Sequence, residues 1–260
     1  MDKFKNKVVI ITGGNSGIGY ATAQEFIREG ANVIITGKRK EALEKASKKI
    51  GAEAILANQA KVSDIETLVE KVKSIYGKVD VLFLNAGVAT FAPIEYTTLE
   101  QYETMMDVNF KGSFFTLQKF IPILNDGASV VFLTSGNTAL NMPNSSVYSA
   151  SKSAISHLAR IAAKELSDRK IRVNTVNPGP TDTEMQSKFG FDKETLEGMK
   201  EQILGQVPLA KMGTPEDVRK KVEEYERLGI TLSIIRNVVD RKTGRKTIMD
   251  NIDAMVPLVV

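Results

Sequence analysis

Short runs of apolar and β-branched residues recur along this chain at 8–12, 32–36, 54–57, 79–84, 129–134 and 171–176, separated by segments of helical length. No other feature limits the fold so strongly. Runs that are apolar on both faces suit strands covered by helices on each side, and strands joined through helices run parallel. The rhythm therefore predicts repeated βαβ units in one α/β sheet. Helix signals in the intervening segments agree. Ser63 with Glu66, and Thr98 with Gln101, have the spacing of capping boxes. Thr214-Pro215-Glu216-Asp217 offers an N-cap, a first-turn proline and acids near the positive end of a helix dipole. Gly77 and Gly229 stand where left-handed helix ends favour glycine. The run 230–235 can supply a last strand after a charged helical stretch at 220–228, and 241–246 reads as a turn. With no internal repeat, low-complexity tract or linker, residues 1–260 are expected to form a single domain.

Composition removes several classes of function. The chain has 260 residues, 42% hydrophobic and 25% charged, enough to bury a core without staples. It has no Cys, which excludes disulfides, thiolate zinc sites and thiol nucleophiles. A single His157 argues against a His-rich metal site, so no metal is expected and a surface or packing role is assigned to it. The apolar run 8–11 is too short for a signal-peptide core, and no run approaches the roughly 18 apolar residues of a membrane span. A cytoplasmic protein without a membrane partner is the expectation. Net charge is +4, with charges interspersed except between Arg236 and Lys246, where Arg241, Lys242 and Arg245 add to the cluster against Asp240. A solvated basic hairpin is preferred there over a polyanion site, because no aromatics interleave, and no nucleic-acid partner is expected.

The first run leads into Thr12-Gly13-Gly14-Asn15-Ser16-Gly17-Ile18-Gly19 and then a helical pattern over 20–29. A strand, a glycine-rich turn and a helix N-terminus in that order suit a pyrophosphate. Glycines let the backbone approach the ligand, and the free N–H groups and dipole of the helix favour negative charge. After the second run, where an acid would accept hydrogen bonds from an adenosine ribose, the chain has Thr36-Gly37-Lys38-Arg39. Two cations there suit a 2′-phosphate, so NADP(H) is preferred and NAD(H) is kept as the alternative.

Tyr148 and Lys152 are four residues apart within a helical pattern reaching about Asp168, and so share a face. A fixed ammonium beside a phenol favours the phenolate and brings its pKa down toward usable acid/base chemistry. Ser135 follows the fifth run, at a carboxyl edge of the sheet, where a hydroxyl can donate to a substrate oxygen. Asn109 falls inside a long helical pattern over 99–121, where a poor helix former invites a special reason: a site role or a buried amide capping a kink.

Together these segments resemble the short-chain dehydrogenase/reductase family. The resemblance is carried by 12–19, by Asn85-Ala86-Gly87, by Asn109, Ser135, Tyr148 and Lys152, and by Asn177-Pro178-Gly179 through Thr183, in family order over about 5–218. It implies a Rossmann-like doubly wound parallel sheet in three α/β/α layers. It also implies a nicotinamide-dependent oxidoreductase acting on a small-molecule carbonyl or alcohol substrate. In that reading Tyr148 is the acid/base, and Lys152 lowers its pKa and holds the nicotinamide ribose. Ser135 polarises the carbonyl and Asn109 supports a water leading protons to Lys152. Gly13, Asn15, Ser16, Gly17, Ile18 and Gly19 hold the pyrophosphate and Asn85, Ala86 and Gly87 shape the adenine and ribose side. Pro178, Gly179, Thr181 and Thr183 hold the carboxamide. A homodimer or homotetramer is implied, one interface being built on the helices that carry Asn109 and Tyr148.

Two departures bear on this. Lys61 stands where the family commonly has an Asp near the adenine, and 219–260 lacks the family's usual ending, so it is an atypical C-terminal segment. Phe110, Phe114 and Phe115 are expected in the core or a helix interface. The glycine-dotted segment 184–212 is read as a substrate lid, with Phe189, Phe191 and Met199 on its apolar side, against a plain surface helix as the other reading. The alternative from another class is a non-enzymatic dinucleotide-binding or scaffold protein of the same fold.

Overall fold

The computed structural model describes residues 3–139, 142–181, 194, 197–198, 201 and 212–218, with the backbone of 234–236. Each predicted apolar run forms a strand: β1 (Val8–Ile11), β2 (Asn32–Gly37), β3 (Glu53–Leu56), β4 (Val79–Leu84), β5 (Leu124–Leu133) and β6 (Arg172–Asn177). A seventh, β7 (Ile234–Arg236), pairs with β6 through Thr175 and Ile234. The sheet has the order β3-β2-β1-β4-β5-β6-β7 and every pair is parallel. Successive strands step outward from β1 to β3, and the chain then returns to place β4 on the other side of β1. That reversal opens a crevice at the carboxyl ends of β1 and β4, the place where doubly wound sheets take their ligands.

Alternation along the strands feeds two cores. Ile10, Leu82, Phe132 and Val173 pack with Leu68 of α3 (Val62–Tyr76), Phe120 of α5 (Gly112–Phe120) and Ile155 of α6 (Ser146–Glu165). On the other face, Ile11, Phe83 and Val131 pack with Phe26 of α1 (Gly17–Arg28) and Leu43 of α2 (Lys40–Ile50). All four residues of β1 are buried, because helices cover both of its faces. Each such side chain withdrawn from water contributes about 1.5–3 kcal/mol.

The helix ends largely follow the sequence. Thr98 and Gln101 cap each other reciprocally at the start of α4 (Leu99–Met105), and Asp217 accepts from the Thr214 N–H at 2.9 Å and hydroxyl at 2.8 Å. Gly77 takes φ +72° after α3 and Gly51, unforeseen, takes φ +77° after α2. Ser63 does not cap α3. Asp64 accepts the Asn58 N–H at 2.9 Å, which draws the helix start back so that Lys61 is the N-cap and Ser63 lies inside. The long helix expected over 99–121 is broken as well. A π-helical segment, Met106–Lys111, separates α4 from α5 and contains Asn109. The helical stretch 220–228, Gly229, the turn 241–246 and the side chains of the basic cluster 236–246 lie outside the described residues.

Candidate active site

The glycine-rich turn holds conformations and close packing that side chains would obstruct. Gly13 and Gly17 have φ +65° and +55°, which L side chains rarely adopt. A Cβ on Gly14 would come 2.5 Å from Ile35, so the turn packs directly on β2. Ser16 is the N-cap of α1, yet its side chain makes no capping bond and the first turn carries no acid. The N–H groups of Gly17, Ile18 and Gly19 thus open the helix without intrahelical acceptors. Asn15 lies over the end of β2, its Oδ1 2.7 Å from where a Cβ on Gly37 would stand. Lys38 and Arg39 follow, exposed and engaged in no ion pair among the described residues. Bare amides, a positive helix end and two cations at the neighbouring strand are a donor set that fits a phosphate-bearing dinucleotide.

Asn85 serves this turn from within. Its Nδ2 donates to the carbonyls of Thr12 at 2.9 Å and Gly13 at 3.1 Å, while its N–H and that of Ala86 each donate to the Thr12 hydroxyl at 3.0 Å. A residue expected to help shape the adenine and ribose side thus braces the glycine turn. Lys61, the departure noted in the sequence, is exposed at the start of α3.

The residues read as the reacting set lie one strand further along. Lys152, buried on α6, donates from Nζ to the Leu133 carbonyl at 2.9 Å. A Cβ on Gly87 would stand 3.2 Å from Lys152 Nζ and 3.4 Å from Asn109 Oδ1, so Gly87 is the gap that lets the three approach. Asn109 is fully buried and spends its amide on structure. Oδ1 accepts the Val88 N–H at 2.8 Å, and Nδ2 donates to the Val88 carbonyl at 2.9 Å and to Ser151 Oγ at 3.0 Å. Ser151 Oγ in turn donates to the Tyr148 carbonyl at 2.7 Å. The structural reading of Asn109, a buried amide at a helix kink, therefore holds, and through Ser151 that amide reaches the turn carrying Tyr148. The Tyr148 phenol is partly buried and hydrogen-bonded to Ser135, whose Oγ also accepts the Asn137 N–H at 3.2 Å.

Burial pushes the Tyr148 phenol above its ordinary 10.0, with the Ser135 hydrogen bond opposing the rise. Lys152 directs its ammonium to the Leu133 carbonyl. Burial brings Lys152 itself down to about 8. The pair is therefore a neutral phenol beside an ammonium at pH 7, with a shorter gap to Lys152 deprotonation than in water.

Beyond the site, Pro178 accepts the Gly136 N–H at 2.7 Å, which joins the segment after β6 to the segment after β5. Thr181 Oγ1 donates to the Gly179 carbonyl at 3.0 Å, and Thr181 bridges in parallel to Gly213. Thr183 lies outside the described residues, as does 184–212 apart from residues 194, 197–198, 201 and the buried Met212. Phe189, Phe191 and Met199 are therefore not placed. His157 is exposed on α6. Phe110 packs against the core, whereas Phe114 is exposed and Phe115 half-buried, the latter two in edge contact at 5.3 Å. Among the described residues no group of three or more His, Asp or Glu could hold a metal, and no helix is long and apolar enough to cross a membrane.

Two residues of the site carry no signal that sequence reasoning used. Ser151 sits between Tyr148 and Lys152 and could have been suspected as a hydroxyl in a buried helical turn. Phe91, whose ring lies 5.8 Å from that of Tyr148, comes from a loop whose path no periodicity reveals.

Comparison with known proteins identifies the family. The family described as short chain dehydrogenase matches residues 7–194. Oxidoreductase asL5 of Sarocladium schorii is 37% identical over 224 residues, 84% of this chain and 87% of that protein. The NADP-dependent (R)-specific alcohol dehydrogenase of Lentilactobacillus kefiri is 34% identical over 228 residues, 84% and 88% of the two chains. Among solved structures, the 3-ketoacyl-(acyl-carrier-protein) reductase of Brucella melitensis in complex with NADH superposes with a TM-score of 0.79 at 25% identity, covering 88% of this chain and 96% of that one. Sequence match, sheet order and the cluster around Gly87 converge, and this chain belongs to the short-chain dehydrogenase/reductase family of oxidoreductases.

Proposed function

We propose that the protein is an NADP(H)-preferring oxidoreductase that interconverts a carbonyl and an alcohol on a small molecule, with Tyr148 as the acid/base. The observation that supports this most is the meeting of Tyr148, Ser135, Lys152 and Asn109 at the carboxyl edge of the sheet, next to the glycine turn. When bound, a reduced nicotinamide supplies a hydride to the carbonyl carbon. The chain's own residues do the rest. Ser135 donates a hydrogen bond to the carbonyl oxygen, and Tyr148 gives that oxygen its proton as negative charge builds there. A phenol held neutral by burial is in the right form to be that donor. Lys152, cationic at pH 7, stabilises the phenolate left behind, and Asn109 through Ser151 keeps the Tyr148 turn in place.

Gly13, Asn15, Ser16, Gly17, Ile18 and Gly19 would hold the pyrophosphate, with Lys38 and Arg39 on a 2′-phosphate. Gly87 would face the ribose, with Asn85 and Ala86 acting through the turn they brace, and Pro178, Gly179, Thr181 and Thr183 would take the carboxamide. In the same reading residues 1–260 are one domain, 184–212 is its lid, and copies pair through the helices bearing Asn109 and Tyr148. Support for the cofactor choice comes from the two exposed cations after β2 and from the NADP-dependent relative.

The experiment is to follow NADPH oxidation by purified protein over a panel of ketones and aldehydes, beside Tyr148→Phe. Turnover that falls about 10²–10⁴-fold in the variant, with NADPH affinity kept, is the expected result. Tight NADPH binding with no turnover on any carbonyl overturns the reading in favour of a binding protein, and an active Tyr148→Phe removes Tyr148 from the acid/base role.

A further inference from the structure

The glycine turn, the end of β2 and the end of β3 are joined edge to edge. Gly14 donates its N–H to the Thr36 carbonyl at 3.1 Å, and Ala57 donates its N–H to the Gly37 carbonyl at 3.1 Å. Beyond that point β2 gives way to Lys38 and Arg39, and β3 to a turn over residues 58–61. That turn is held firmly. Lys61 donates its N–H to the Asn58 carbonyl at 2.9 Å, Ala60 donates its N–H to Asn58 Oδ1 at 3.1 Å, and the Asn58 N–H goes to Asp64 Oδ2 at 2.9 Å. Gln59, buried, ties the same turn to the Gly112 carbonyl at 2.9 Å. A turn closed in this way keeps its first and last Cα within about 7 Å, and neighbouring strands lie about 4.8 Å apart. The long, flexible stem of Lys61 therefore starts close enough to reach the space beyond the end of β2.

By the ordinary rules of helix ends, Lys61 is out of place. It is the N-cap of α3, a position that favours Ser, Thr, Asp or Asn and where a cation opposes the helix dipole, and its side chain makes no capping bond. Arg39 repeats the anomaly as the N-cap of α2. Lys38, Arg39 and Lys61 are all exposed and engaged in no ion pair among the described residues, whereas the neighbouring Lys40 faces Glu44 at 4.0 Å. No acid occurs in 36–40 or 57–63. The acids in the first turns of the two helices are Glu41, exposed on α2, and Asp64, which is committed to the Asn58 N–H. Three like charges at adjacent strand ends repel one another and oppose the dipoles beside them; an anion placed among them reverses the sign of each of these interactions.

We propose that Lys61 is a specificity-determining residue of the cofactor site, a third cation that joins Lys38 and Arg39 in recognising a 2′-phosphate on the adenosine ribose. The proposal rests on the reading of the crevice as a dinucleotide site, because the strand order β1, β2, β3 is what carries the adenosine from the pyrophosphate turn outward across β2 toward Lys61. A phosphate monoester bears close to two negative charges at pH 7 and gains from every cation near it. A free ribose hydroxyl gains almost nothing. Lys61 thus acts on the phosphorylated cofactor and leaves the unphosphorylated one alone.

The test is equilibrium titration of the unaltered protein, Lys61→Gln, Lys61→Arg and Lys40→Gln with NADPH and NADH, and with 2′,5′-ADP and 5′-AMP as fragments that lack the nicotinamide. Lys61→Gln should weaken NADPH and 2′,5′-ADP about three- to tenfold. NADH and 5′-AMP should stay within about twofold, which also shows that the variant is folded. Lys61→Arg should restore the phosphorylated ligands, and the loss in Lys61→Gln should shrink as salt is raised. Lys40→Gln, which removes an equal charge from the same helix start, should leave the ratio of NADPH to NADH affinity unchanged. An unchanged ratio in Lys61→Gln, or an equal shift in Lys40→Gln, overturns the proposal while NADPH binding keeps the dinucleotide reading intact. If 2′,5′-ADP binds in a Lys61-dependent way but no carbonyl is turned over, the oxidoreductase reading falls and the role of Lys61 stands. Failure of the unaltered protein to bind either phosphorylated ligand sinks both.

Discussion

At the scale of single residues, the site depends on two ionisable groups that burial moves in ways opposite in sign of charge. Lys152 is lowered from 10.5 to about 8, so the folded chain sheds this proton before the unfolded chain does. Between those values the unfolded state binds more protons, and stability from this group rises with pH; below about 8 the cost of the buried ammonium is felt in full. Tyr148, raised above 10.0, acts the other way: the folded chain keeps its proton longer, so stability is lost as pH climbs beyond 10.0. Comparison of urea unfolding for the unaltered protein and Lys152→Met should show a stability difference that changes steadily from pH 8 to 10 in favour of the lysine. A pH-independent difference would contradict a buried, depressed lysine. The cofactor end offers a second test at this scale. Lys38→Ala with Arg39→Ala should weaken NADPH at least tenfold more than NADH, read by equilibrium titration, because two exposed cations have nothing to meet on an unphosphorylated ribose.

At the scale of elements, the amino edge of the sheet is tied by one carboxylate. Asp80 of β4 accepts the Val8 N–H of β1 at 2.9 Å, Lys7 Nζ at 3.0 Å and Asn125 Nδ2 of β5 at 3.0 Å. Burial alone would raise this acid, but those three hydrogen bonds and the charge of Lys7 outweigh it and hold Asp80 below its ordinary 3.8. Its contribution is therefore present above the unfolded value and is lost as pH falls through the folded one. Asp80→Asn should cost about 1–2 kcal/mol at pH 7 and much less at pH 3, measured by denaturant unfolding. Such a loss appearing equally at both values would mean that the carboxylate charge is irrelevant. The break between α4 and α5 is a matter of packing at the same scale. A Cβ on Gly112 would collide with the Gln59 carbonyl, and Gln59 Nε2 donates to the Gly112 carbonyl at 2.9 Å. The start of α5 is thus pressed onto the segment after β3, and the extra residue of the π turn brings the Asn109 amide round to Val88 and Ser151. The sequence marked Asn109 as out of place in a helix; it did not tell which backbone groups its amide would reach.

At the scale of the whole molecule, the crevice at the switch between β1 and β4 gathers residues from several separate stretches of chain. A ligand that binds such a crevice binds only the folded form, so NADPH at about 100 times its Kd should stabilise the protein by about 2.7 kcal/mol, seen as a rise in the unfolding midpoint. A midpoint unmoved by NADPH would contradict a dinucleotide site there. Strand identities, the parallel sheet and the glycine turn were legible in the sequence because they rest on local rules: side-chain alternation, the need to cover two apolar faces, and the conformations open to glycine. Even β7 overlaps the run read as a last strand, though its pairing with β6 was not foreseeable. What the tertiary structure alone decided is how distant polar groups spend their hydrogen bonds. Asn85 turned to the glycine loop, Asp64 displaced Ser63 at the start of α3, Lys152 pointed to Leu133, and Phe91 came to rest on Tyr148. Partners far apart in sequence leave no periodic trace, and a buried donor takes whichever acceptor the packed chain brings within about 3 Å.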